Sequence, residues 1–173
     1  MKLRKEIDPD FETAEKLYPE VLRLVLAYAE YCDENGDEGN IEYVKLTNTL
    51  HQMTGKDMSQ YDLSEWWEGE GAEVLAFRIS LPAPKAVRDI TKEELSKIVK
   101  RLKSPIVIDE DDANFKSQFS YYLDDYYYSF LKLNFATFDI SLFQRNKDKN
   151  VKYFEYEERE IVERLWNGKI HSI

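Results

Sequence analysis

Tyr121-Tyr122-Leu123-Asp124-Asp125-Tyr126-Tyr127-Tyr128 sets five tyrosines around two adjacent carboxylates. Tyrosine beside carboxylate suits the recognition of a basic protein surface, because the ring adds contact area and the acid complements positive charge. Five phenols in eight positions cannot all be core without satisfying many hydroxyls. The pattern therefore places some of them at the surface with the acids, and Tyr121, Asp124, Asp125, Tyr126 and Tyr128 are the first candidates for a partner surface. Trp66, Trp67 and Glu70 are the second, amid Glu65, Glu68 and Glu73. Acids next to tryptophan also suit a sugar-cleaving site, in which two carboxyls straddle the bond, but nothing in this spacing sets two of them at the required separation.

Other chemistry-bearing residues form weaker patterns. Asp33-Glu34-Asn35-Gly36-Asp37-Glu38-Gly39-Asn40-Ile41-Glu42 resembles an EF-hand calcium loop, with oxygens at the first, third and fifth places. The glycine required sixth is replaced by Glu38, and the bidentate glutamate required twelfth by Val44, so the coordination shell is incomplete. The adjacent acids Asp109-Glu110-Asp111-Asp112 point alternately along an extended chain and cannot converge on one ion. His51 and His171 fall in no metal or triad spacing. Cys32 is the sole cysteine, so no internal disulfide forms and no cysteine-based zinc site exists. The serines lack a nucleophile elbow, and the glycines form no phosphate loop or dinucleotide fingerprint. The sequence thus predicts no metal and no cofactor, and leans away from an enzyme.

A formal net charge of −10 argues against duplex nucleic acid as a ligand, since phosphate neutralisation supplies most of that affinity. The charge is uneven. Glu12 to Glu42 holds nine acids against Lys16 and Arg23, Lys85 to Lys103 holds seven bases against three acids, and Asp109 to Asp125 holds six acids against Lys116. Opposite signs so close in sequence suit pairing of the 91–103 and 109–125 surfaces across a two-fold homodimer. The chain has no apolar run of about 18 residues to span a bilayer. Its charged start is followed by no apolar stretch, which predicts a cytoplasmic protein that does not engage a membrane.

These residues must be positioned by one core, which 173 residues with 43% apolar content can build as one domain or as two small lobes, with residues 1–18 as a possible N-terminal arm. Val21, Leu24, Val25, Tyr28 and Cys32 predict a helix over 19–35, Pro19 setting its start and 11–18 forming a separate arm. A second helix is expected over 41–54, ended by Gly55, and a short one over 60–68. Alternation makes 73–81 the clearest strand, closed by Pro82 and Pro84. Thr91-Lys92-Glu93-Glu94 is a capping box for a helix whose core face is Leu95, Ile98, Val99 and Leu102. Residues 106–108 read as a short extended piece. A hairpin is expected with arms 118–123 and 126–135 and Asp124-Asp125 as its turn, although 118–126 also fits helical spacing. Residues 144–150 read as a polar loop and 153–167 as the last helix. The sum is an α+β domain with N-terminal helices, a small, mostly antiparallel sheet and a C-terminal helix.

Function follows from surface chemistry. The expectation is a non-catalytic protein that binds a basic protein partner, for example an immunity or inhibitor protein for a nuclease toxin. The alternatives are a small-molecule hydrolase with a Glu/Asp/Tyr site and a self-associating structural subunit.

Overall fold

The computed structural model describes residues 3–66, 69–104, 114–149 and 152–170. The architecture is α+β, with seven α-helices and a two-stranded antiparallel sheet among the described residues. No described helix is long and apolar enough to cross a membrane. The chain divides into two compact units. One comprises Asp10–Ala83 with Ala113–Tyr122, and the other Met1–Pro9, Pro84–Asp112 and Leu123–Ile173.

The first unit is built on α1 (Phe11–Asn35), α2 (Ile41–Thr54), α3 (Ala72–Ser80) and α5 (Phe115–Phe119). Helix α1 starts eight residues before the expected place and carries Pro19 within it. Asp10 is the reason it starts there: its carboxylate accepts from the Thr13 amide at 3.0 Å and the Thr13 hydroxyl at 2.8 Å. An interior proline costs roughly 3 kcal/mol. The helix continues through it because its buried face runs on both sides, with Ala14 before and Val21 and Val25 after. Phe11 and Tyr18, in the segment expected as an arm, pack onto Phe115 and Phe119, and Phe77 stacks on Phe119 at 4.5 Å.

Residues 72–80 are a helix, not the expected strand. Leu75, Phe77 and Ile79 satisfy a period of two, but Ala72, Leu75, Ala76 and Ile79 satisfy 3.6, and a run this short fits both. The small Ala72 and Ala76 decide it. They join Val21, Val25, Leu46, Leu50 and Leu63 in one buried cluster. Helix α2 matches its expected span, with Gly55 in the left-handed conformation past its end (φ 70°). The expected short helix over 60–68 is a 3-10 turn at Met58–Gln60, while Trp67 and Glu68 lie outside the described residues.

The second unit holds α4 (Lys92–Lys103), α6 (Asp124–Asn134), β1 (Asn146–Lys147), β2 (Tyr153–Phe154) and α7 (Glu158–Trp166). The Thr91/Glu94 capping box is present as read. Leu95, Ile98 and Val99 are buried, as are Phe130 and Leu131 of α6 and Ile161 and Leu165 of α7. The expected hairpin over 118–135 does not form. Asp124 and Asp125 are the first helical residues of α6, where the positive helix end favours carboxylates. Asn134 ties α6 to the loop before α4 by accepting from the Val87 amide at 2.8 Å. Gly168 is required by close approach, since a Cβ there would lie 2.1 Å from the Thr137 hydroxyl. The sheet lies in the piece read as loop and helix start, with Asn146 opposite Phe154 and Lys147 opposite Tyr153. The expected extended piece at 106–108 and the acids at 109–112 lie outside the described residues.

Candidate functional site

The tyrosine–aspartate run is divided between the units. Tyr121 and Tyr122 close the first unit's 3-10 turn, their rings 5.4 Å apart, and Tyr121 is 55% exposed. In the second unit Asp124 and Asp125 are both exposed. Asp124 lies 3.5 Å from Arg101. Partial loss of solvent around this carboxyl raises its pKa, with Arg101 opposing and Asp125 adding to the rise. Tyr126 donates its hydroxyl to the Ile7 carbonyl at 3.3 Å. Tyr127 is buried under the Arg101 guanidinium, and burial pushes its phenol up. Tyr128 is half-buried against Phe138 and Phe143. The rings of α6 thus wall the core while Asp124 and Asp125 face solvent.

Glu70 makes two bonds to Arg78, at 2.7 and 2.8 Å, so its carboxylate serves an ion pair within the first unit. Trp66 is half-buried against the core cluster, and Trp67 lies outside the described residues. Arg78 leads to a group with no sequence signal. Lys56 Nζ donates to the Arg78 carbonyl at 2.6 Å and to the Tyr61 hydroxyl at 3.1 Å. Burial, and then the Arg78 charge, pull this amine down to about 8. Such an amine could serve as a base or nucleophile. Here its protons go to a carbonyl of the last turn of α3, so it acts as that helix's C-terminal cap.

The calcium-like loop has a structural use. The Asp37 carboxylate accepts from the amides of Ile41 and Tyr43 at 2.9 Å and Glu42 at 3.3 Å, capping α2. Burial works to raise its pKa, but these bonds and the Tyr28 hydroxyl outweigh it and hold the carboxyl low. No three His, Cys, Asp or Glu side chains gather to hold a metal among the described residues. His51 bonds the Lys56 carbonyl and Cys32 is half-buried, while His171 lies outside the described residues.

The C-terminal end of α1 is different. A helix C-terminus carries roughly half a negative charge and favours cations. Every other α-helix described has a basic residue in its last turn: His51, Arg78, Lys100 with Arg101 and Lys103, Lys116, Lys132 and Arg164. Helix α1 has none and carries Asp33 and Glu34 there instead. Glu30 and Glu34 are a like-charge i, i+4 pair, which is also unfavourable. Glu30, Asp33, Glu34 and Glu38 are all exposed, and none forms an ion pair with a described residue. Tyr31, next to Glu30 in sequence, is 40% exposed. The sequence shows the acidic stretch, and the helix end at Gly36 is legible there too. The missing signal was the comparison with the chain's other helix ends.

No family model matches this chain, and neither does any curated protein or solved structure.

Proposed function

We propose that this chain is a non-catalytic, cytoplasmic protein-binding protein that engages a partner with a basic surface, as an inhibitor or immunity protein does with a nuclease toxin. One observation carries the reading. The end of α1 concentrates carboxylates that form no ion pair with a described residue where folding alone disfavours them, next to an exposed tyrosine. Violations of a local rule without a local compensation mark places where charge serves something other than the fold. In a complex the carboxylates stand in for phosphates on a cationic active site, and Tyr31 supplies contact area. Asp124 and Asp125 are a second contact region of the same chemistry.

The test is purification from the native host with whatever remains bound, followed by kinetics with the isolated partner. A basic protein whose association slows on Glu30→Lys/Glu34→Lys or Asp124→Asn/Asp125→Asn, with a melting temperature that does not fall, supports the reading. A bound small molecule with no protein partner overturns it.

A further inference from the structure

The sheet of the second unit is a cationic patch in an acidic protein. Arg145 lies 4.3 Å and Lys147 4.9 Å from the centre of the Tyr153 ring, so one tyrosine holds two cations at the surface. Arg145, Lys147, Lys149 and Lys152 are exposed, and none forms an ion pair with a described residue. The cations of α4 are used differently: Lys92 pairs with Glu163, Lys97 with Glu93, Arg101 with Asp124 and Lys103 with Glu155. The complement expected for a two-fold dimer is thus largely occupied within the molecule, whereas the four hairpin cations pair with no described acid.

The hairpin is also short of partners as a fold element. Its strands are two residues each, and an isolated two-stranded ribbon is marginal in water. Tyr153 is 53% exposed and Phe154 39% exposed. It gains by being covered, and an acidic cover fits its charge.

We propose that the β1–β2 hairpin docks on the C-terminal end of α1 in a second copy of the chain, Arg145 and Lys147 meeting Glu30 and Glu34. Both surfaces gain. The cations complete a helix end that has none of its own, and the acids neutralise the hairpin. The contact uses the acidic end assigned above to a basic partner, and such a partner competes with it. Self-docking nonetheless stands or falls separately, because it needs no other protein.

Sedimentation of the full chain across concentration tests this at low salt and at about 0.5 M, where exposed charges are screened within a few ångströms. Association at low salt that is lost at high salt is expected. Arg145→Glu/Lys147→Glu and Glu30→Lys/Glu34→Lys should each weaken it by roughly tenfold or more, about 1.4 kcal/mol. Mixing the two variants should restore a complex between them, since each then carries the other's complement. A chain that stays monomeric at low salt and high concentration overturns the proposal. So does association indifferent to both sets of variants, or a monomer that instead binds a labelled single-stranded oligonucleotide through Arg145 and Lys147.

Discussion

Helices α1 and α4 show opposite relations between charge and fold. Helix α4 has its capping box and Glu93 at the start and Lys100, Arg101 and Lys103 at the end, with most cations also paired to acids. Its charge pattern needs no explanation beyond its own stability. Helix α1 is capped by Asp10 at its start yet ends on Asp33 and Glu34 with no base. Charge there works against the helix. A charged surface is informative about function in proportion to how little the fold explains it, and by that measure α1's end stands above the larger basic stretch around α4.

The largest expected effect concerns a helix end that binds a cation from outside it in addition to its own Arg78. Lys56 caps α3, and its amine is pulled down to about 8 from 10.5 by burial and by Arg78. Its folded pKa lies below its unfolded one, so the unfolded chain binds more protons between those values and stability rises with pH across that window. Lys56→Met should remove this rise, a difference of up to about 3 kcal/mol. Denaturant midpoints at pH 8 and pH 10 for both proteins check it, and parallel profiles would mean Lys56 is ordinary. Next, Thr91→Ala should cost about 1 kcal/mol by removing the box of α4, read by thermal unfolding. At α1 the sign reverses. Glu34→Lys should stabilise by about 0.3–1 kcal/mol, and a destabilised variant would show that Glu34 serves the fold after all. The smallest effect is that of salt. Moderate salt should narrow the gap between Glu34→Lys and the wild type, because the repulsion being relieved is exposed and screened.

What could be read in the sequence follows how local its causes are. Helix α4 and the end of α2 were legible because Thr91, Glu94 and Gly55 act within a turn of themselves. Residues 72–80 and 124–134 were misread because short apolar runs satisfy both periods, and the choice is made by packing partners distant in sequence. Pro19 reads as a boundary because its local cost is visible in the sequence, whereas the stacking of Phe11 and Tyr18 on Phe115 and Phe119 is not. Of the candidate residues, the Asp124–Asp125 surface was legible as exposed acid, though for the wrong reason, a turn instead of a helix start. The commitments of Glu70 to Arg78 and of Lys56 to α3 depend on contacts that only the folded chain shows.

The most direct test joins stability and binding in one variant. Glu30→Lys/Glu34→Lys should melt higher than the wild type and associate far more slowly with the basic partner, most steeply at low salt, because the charges it reverses oppose the helix and steer the complex. A variant that melts higher and binds at an unchanged rate would contradict the account, since the acids at the end of α1 would then serve neither the fold nor the partner.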